Sequence, residues 1–205
     1  MPKFSYQKTI DVYNTLGRKY YSDSLKVTPP EREEFSKILS KKSSILDVGC
    51  GGGRDSKYFI KKGFNLTGID MSHVFIDIAK EEVPTANFKV MDVPKLDFPT
   101  ESFDAIWAQA VLLHLKRRDV SKALKNFNKV LKLGGYVYIN VKKGKGEAYV
   151  KEKLSGGHER FYTYFSKKEV IGLMKNQGFK IIYSSLRPDP HGRKDVTWIS
   201  VLGQK

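Results

Sequence analysis

The residues from Ile45 to Asp70 constrain this chain more than any other stretch. A short apolar run, Ile45-Leu46-Asp47-Val48, leads into Gly49-Cys50-Gly51-Gly52-Gly53, in which four of five residues are glycine. A helical pattern follows over 54–62, and a second apolar run over 65–70 ends in another acid, Asp70. Strand, glycine loop, helix and strand in that order make half of a nucleotide-binding α/β sheet.

The same alternation continues on both sides of this unit. Residues 4–22 carry Phe4, Tyr6, Ile10, Val12, Tyr13, Leu16, Tyr20 and Tyr21 at mixed helical spacing, which predicts one amphipathic helix broken near Gly17. A second helix is expected from the Thr28-Pro29-Pro30 start, with Thr28 as its cap, through about Lys41. Strands are expected at 44–48, 65–70, 87–91, 103–108 and 136–141. Helices are expected between them, with Ser72 capping the one at 72–82 and another at 119–131. The Lys/Gly-rich segment 142–157 reads as a mobile loop. Ser166 and Gly178 bracket a last helix, and two strands at 179–186 and 197–202 flank a long hairpin loop. Repeated strand–helix units require parallel strands with right-handed crossovers. The last two strands lack an intervening helix and should pair antiparallel at one edge.

In an open α/β sheet, ligands bind beyond the carboxyl ends of the strands. That edge collects Gly49–Gly53 after the first strand, Asp70 after the second and Asp92 after the third. Glycine admits a ligand to the backbone, an acid can accept both hydrogens of a ribose diol, and another can meet an adenine amino group. Each feature alone is also explained by a turn or a helix cap; together, at successive strand ends, they indicate a nucleoside site. A nicotinamide dinucleotide calls for a third glycine where Arg54 stands. Asp47, just before the loop, suits a cationic ligand better than a pyrophosphate.

The stretch Ile-Leu-Asp-Val-Gly-Cys-Gly-Gly-Gly-Arg (45–54) resembles the first motif of class I S-adenosylmethionine-dependent methyltransferases. Gly68–Ser72, Val90–Val93, Phe103–Ala108 and Leu131–Tyr136 are similar to that family's later motifs, so the likeness covers about residues 41–141. Segments 53–59, 106–115 and 160–163, together with the chain end, resemble the small-molecule, tellurite-resistance-type members. The resemblance implies an α/β, Rossmann-like seven-stranded sheet in order 3-2-1-4-5-7-6: five parallel strands, a terminal antiparallel pair, and helices on both faces. It also implies one methyltransferase domain over 1–205, with 1–42 as a helical lid and 43–205 as the core. S-adenosylmethionine would be the cofactor and S-adenosylhomocysteine the product. Gly49, Cys50, Gly51, Gly53 and Arg54 would surround the methionine and ribose, with Asp47 near the ammonium group. Asp70 would take the ribose hydroxyls, Met71 and Val93 the adenine faces, and Asp92 the adenine amino group, while Ala108 and Gln109 end the fourth strand beside the cofactor.

A sulfonium methyl is already activated, so such an enzyme chiefly positions its acceptor, and a base is needed only where a proton must leave. The acceptor-side loops carry His114, Arg160, Arg187 and Arg193, and the N-terminal helix Tyr20 and Tyr21, as candidate substrate contacts, with Gln109, His158 and His191 on the same rim. Lys116–Arg118 and Lys142–Lys145 follow on that side, which predicts a positive mouth for a small anionic or carboxylate-bearing acceptor. His114 is the candidate base, although a histidine behind Leu112-Leu113 also suits a hydrogen-bonded core position. No metal site is expected.

The net charge of +15 makes an RNA-directed methyltransferase the alternative. Most of that charge is lysine spread along the chain, with only 8 arginines, which reads as a solvated surface. The fourth strand ends Ala108-Gln109-Ala110-Val111, unlike the Asn/Asp-Pro-Pro-aromatic tetrad in which base-amine methyltransferases resemble one another. A non-catalytic S-adenosylmethionine binder and an NAD-dependent oxidoreductase are the readings from other classes. The lone Cys50, the absence of a membrane-length apolar run and the lack of an apolar core in Met1–Ser5 lead to the expectation of a cytoplasmic protein without a membrane partner. Monomer and homodimer are equally compatible with the sequence.

Overall fold

The computed structural model describes residues 6–205, so Phe4 lies outside the described residues. Strands β1 (Ser44–Val48), β2 (Asn65–Asp70), β3 (Asn87–Val90), β4 (Phe103–Gln109) and β5 (Leu131–Lys142) form the parallel part of one sheet. A short hairpin, β6 (Glu147–Lys151) and β7 (Glu159–Thr163), stands apart from it. Strands β8 (Lys180–Pro188) and β9 (Thr197–Gln204) complete the sheet, β9 pairing antiparallel to β5 and to β8. The order is β3-β2-β1-β4-β5-β9-β8. With the separate hairpin left out of the numbering, this is the expected 3-2-1-4-5-7-6.

Both sheet faces are apolar because helices cover both. Ile45, Ala105, Trp107 and Tyr138 face the helices α2 (Glu31–Lys37), α3 (Arg54–Lys61) and α4 (His73–Glu82), meeting Phe35, Phe59 and Ile76. Leu46, Ile106, Val137 and Ile199 face α5 (Arg117–Val130) and α6 (Lys167–Asn176), meeting Leu124, Phe127 and Met174. Alternation along each central strand thus sends successive side chains into two separate cores. Trp107 stacks on Tyr138 with ring centroids 4.1 Å apart.

Local chemistry sets the helix ends. Ser72 Oγ accepts from Phe75 N at 3.1 Å, and Ser166 with Glu169 forms a reciprocal capping box. Thr28 caps nothing: α2 begins after Pro30, without a side-chain cap, and ends at Lys37, short of the expected Lys41. The N-terminal helix α1 (Tyr6–Ser24) breaks at Gly17, whose φ of +40° and ψ of −123° are not helical. Among the described residues, no helix is long and apolar enough to cross a membrane.

The segment expected as a mobile loop is largely ordered. β5 runs to Lys142, and the β6–β7 hairpin folds from 147 to 163 as a strap over the carboxyl edge of the sheet. Helix α1 lies against this strap: Thr9 Oγ1 accepts from Phe161 N at 3.0 Å, and Lys8 pairs with Glu159 at 2.6 Å. The two segments together roof the sheet edge.

Candidate active site

Beneath the roof lies a cavity of about 420 Å³, within the usual range for small-molecule sites. At one end it is bounded by the glycine loop. Gly49 N and Cys50 N both donate to Ile69 O, at 2.8 and 3.0 Å, which folds the loop back across β2. Gly49 has φ +70°, and a Cβ there would approach Val111 to 2.6 Å. Asp70 receives Gly51 N on one carboxylate oxygen at 3.0 Å and Ser72 N on the other at 2.8 Å. Burial raises its carboxyl above the ordinary value, and these backbone donors counter the rise.

Asp47 is 2% exposed, and Ser56 Oγ donates to it at 2.6 Å. Burial, followed by the neighbouring Asp55 charge, pushes its carboxyl up to about 7. Asp55 is the reverse case. Burial pushes it up, but Arg54 and Arg32 outweigh that and hold it below the usual carboxylate range. Asp55 accepts from Arg54 at 2.7 Å, from Arg32 at 2.8 Å and from Trp107 Nε1 at 3.1 Å. Arg54 also reaches the carbonyls of Ser24 and Val27, both at 3.3 Å, and so ties the segment after α1 to the glycine loop.

The opposite end is built by β5, the strap and α1 around Glu152. Lys142 donates to Glu152 Oε1 at 2.6 Å and Arg193 to the same oxygen at 2.9 Å. Arg160 and Tyr162 donate to Oε2 at 2.8 and 2.6 Å. Burial opposes ionisation of Glu152, yet Lys142, Tyr162 and Arg160 bring its carboxyl down to about 2. Arg160, 2% exposed, also donates to the Tyr13 hydroxyl at 2.6 Å and to the Tyr20 hydroxyl at 3.4 Å. His114 completes the network, with Nδ1 2.7 Å from Phe161 O and Nε2 2.8 Å from the Tyr13 hydroxyl. A carbonyl only accepts, so the proton sits on Nδ1, and Nε2 accepts from Tyr13. Burial and then Arg160 hold the imidazole neutral, with its pKa near 3.

Of the residues singled out in the sequence, Asp47, Gly49, Cys50, Gly51, Arg54, Asp70, Met71, Asp92, Val93 and Gln109 line this one cavity. So do Tyr20, Tyr21, His114, Arg160, Arg187 and Arg193. Gly53 and Ala108 do not: a Cβ on Gly53 would touch Ala79 and Val83, so it serves the α3–α4 contact, and Ala108 is core. Arg187 is paired with Glu31 at 2.6 Å. His158 is exposed outside the cavity, and Arg117 pairs with Glu169. The mouth is therefore not a bare positive patch; its cations are largely met by carboxylates.

Sequence reasoning missed Asp55, Asn140, Glu152, Tyr162 and Trp198. Asn140 lies near the end of β5 at the ligand edge, two residues before the Lys142 already placed on that side, and that rule alone would have flagged it. Nothing local distinguished Glu152, because its three cationic partners come from β5, β7 and the β8–β9 loop.

A mostly parallel sheet in this order, with Asp70 and Asp92 at or just beyond successive strand ends, defines a Rossmann-like α/β fold. A methyltransferase domain model matches residues 46–139. The chain is 29% identical over 149 residues to ubiquinone biosynthesis O-methyltransferase of Coxiella burnetii, covering 67% of this chain and 63% of that protein. It thus spans somewhat under two thirds of that relative's length. In structure it is similar to an S-adenosylmethionine-dependent methyltransferase of Methanosarcina mazei, with a TM-score of 0.76, 25% identity and coverage of 87% of this chain and 98% of that one. It also shares its fold with a TehB-like S-adenosylmethionine-dependent methyltransferase of Corynebacterium glutamicum, with a TM-score of 0.69, 20% identity and coverage of 94% and 97%. Residues 46–139 thus match a methyltransferase domain, and the chain is similar in structure to S-adenosylmethionine-dependent methyltransferases.

Proposed function

We propose that this protein transfers a methyl group from S-adenosylmethionine to a small anionic acceptor held between the glycine loop and the Glu152 cluster. The residues present fit the cofactor. Asp47 is a buried carboxyl facing the cavity with one hydroxyl donor and no cation bonded to it, as an ammonium group requires. Gln109 Oε1 is buried without a protein partner and lines the same wall. Asp70 is braced by two backbone amides, which leaves its other lone pairs for ribose hydroxyls. Met71 and Val93 would flank the adenine, Asp92 its amino group, and the backbone of Gly49, Cys50 and Gly51 the ribose and methionine.

The bound cofactor supplies an activated methyl on a sulfonium. The protein supplies position and dryness. α1 and the strap exclude water over the cavity, and the ends of β4 and β5 orient what lies beneath.

The observation that carries the acceptor class is the charge balance opposite the glycine loop. Lys142, Arg160 and Arg193 face two carboxylates, Glu152 and Asp189, the latter chelating Arg193 at 2.7 and 2.9 Å. One positive charge is in excess, and the buried Arg160 Nε has no partner. An acceptor carrying one negative charge balances that cluster. The relative from ubiquinone biosynthesis is consistent with a small-molecule acceptor. A roofed cavity of about 420 Å³ favours a compact acceptor over a polynucleotide.

Calorimetry with S-adenosylmethionine, S-adenosylhomocysteine and NAD, followed by labelled-methyl transfer to pools of small carboxylates, amines, phenols and RNA, tests the reading. Binding of both sulfur nucleosides and labelling of an anionic metabolite are expected. Tight NAD binding with no response to S-adenosylhomocysteine would sink it.

A further inference from the structure

We propose that His114 is a positioning residue, not the base, and that methyl transfer here takes an acceptor already ionised as an oxyanion, such as a carboxylate. This rests on the methyltransferase reading above and names the accepting atom.

The geometry of His114 carries it. Both ring nitrogens are committed to protein, Nδ1–H to Phe161 O and Nε2 to the Tyr13 hydroxyl, so neither has a free lone pair facing the acceptor. The groups around the ring come from three segments: Tyr13 on α1, Lys142 at the end of β5, and Glu152, Arg160 and Tyr162 in the strap. Two of them, Arg160 and Lys142, are cations that oppose an imidazolium, and burial opposes it further. Tyr13 cannot serve instead. Burial raises its phenol well above the ordinary value, and its hydroxyl already donates to His114.

The other acids at that end are equally occupied. Glu152 accepts from four side chains and is too weak a base to take a proton from an alcohol, a phenol or an ammonium group. Asp189 accepts from Arg193 and from Trp198 Nε1. His191 lines the mouth, on the exposed side of the β8–β9 loop, and is the one imidazole there with no side-chain hydrogen bond recorded among the described residues. It is therefore the control.

What this end does offer is positive charge. An oxyanion drawn to Lys142, Arg160 and Arg193 arrives with its lone pair free. In the transfer that lone pair forms the bond to the methyl carbon, the electrons of the broken S–C bond stay on sulfur, and no proton moves. The anion and the sulfonium charge are both consumed, so no base is called for.

Three measurements decide it. First, nitrogen NMR of histidine-labelled protein from pH 4.5 to 8 should show His114 as the neutral Nδ1–H tautomer throughout; titration of His114 between pH 5.5 and 8 would overturn the proposal. Second, with the labelled acceptor, kcat should be flat from pH 6 to 8 and change less than 2-fold in D2O. His114→Gln and Tyr13→Phe should lower kcat without changing that shape. A limb near pH 6–8 that vanishes in His114→Gln or His191→Gln, with a loss of 100-fold or more, would identify a base and overturn it. Third, small carboxylates should be methylated at least 100-fold faster than phenols or primary amines of equal size, and the reverse order would overturn it. The NMR result stands whether or not S-adenosylhomocysteine binds, so failure of the cofactor reading is seen separately in calorimetry.

Discussion

The Arg160 guanidinium donates to the Tyr13 hydroxyl at 2.6 Å, joining residues 147 positions apart and the two halves of the roof. Arg160 sits on the strap and Tyr13 on α1, and the same guanidinium is paired with Glu152. Removing one partner of a buried pair costs about 3–5 kcal/mol, because the other charge is left uncompensated. Here Lys142 and Arg193 keep Glu152 partnered, so the expected loss for Arg160→Gln lies at the low end, about 3 kcal/mol. The more specific effect is on the roof. Hydrogen exchange of residues 6–24 and 147–163 should rise together in that variant. Exchange that rises in the strap alone would show that Arg160 does not hold α1.

Asp47 is expected to make cofactor affinity depend on pH. Its carboxyl is held up to about 7, so below that value it is mostly protonated in the free protein. An ammonium group favours the ionised form, so binding should release a proton, and affinity should fall by up to about tenfold per pH unit below 7. Calorimetry of S-adenosylhomocysteine at pH 6 and 8, in buffers of different ionisation enthalpy, measures both effects. Asp47→Asn should bind about 10–100-fold more weakly at pH 8, on the scale of one charged hydrogen bond, and lose the pH dependence. Equal wild-type affinity at the two pH values would remove Asp47 from the ammonium site.

The parts of the molecule that were legible in the sequence share one property: their causes are local. The run Ile45–Val48, the glycines after it and the acids ending β2 and β3 are written in consecutive residues, and the sheet rule then brings them to one edge. The break at Gly17 and the caps at Ser72 and Ser166 were readable for the same reason. The β6–β7 hairpin was not. Its lysines and glycines have the composition of a solvated loop, and what orders it is contact with α1 more than a hundred residues earlier. Asp55 carried no local signal of its role, because its charge is held first by its neighbour Arg54 and then by Arg32, 23 positions away. Burial and long-range charge pairing leave no periodic trace.

Gly52 tests how closely α1 sits on the glycine loop. A Cβ at this position would come within 2.5 Å of the Tyr21 ring and 3.0 Å of Ile78, so the aromatic ring packs on bare backbone. Tyr21 is 5% exposed and shares a small cluster with Phe75 and Ile78. Gly52→Ala must push that ring away, at an overpacking cost of about 1–3 kcal/mol. The second half of α1 would lift, so the expected result is a lower midpoint in urea together with weaker S-adenosylhomocysteine binding. Gly51→Ala is the contrast. Its Cβ meets nothing, but its φ of +53° strains any other residue, so it should lose stability without displacing Tyr21. Equal exchange of the α1 amides in the two variants would refute the contact.

Acid should reveal His114 in the stability of the fold. Unfolded, the imidazole takes a proton near its ordinary 6.5; folded, it does so near 3. Between those values the unfolded chain holds more protons, so lowering the pH favours unfolding by up to about 1.4 kcal/mol per unit. Asp47 acts in the opposite sense. Its folded value of about 7 lies above the ordinary 3.8, so the native state holds the extra proton across that window and loses stability as the pH rises through it. Glu152, held near 2, contributes stability that is present above about 4.5 and lost as the pH falls toward 2. Over pH 5–6.5 the His114 and Asp47 effects largely cancel, which would hide His114 in the wild-type curve. Comparing wild type with His114→Gln removes the shared contributions. Between pH 7 and pH 5 the wild type should lose about 2 kcal/mol more than the variant, read from urea unfolding at each pH. An identical change in both proteins would mean that His114 is not held neutral in the folded state.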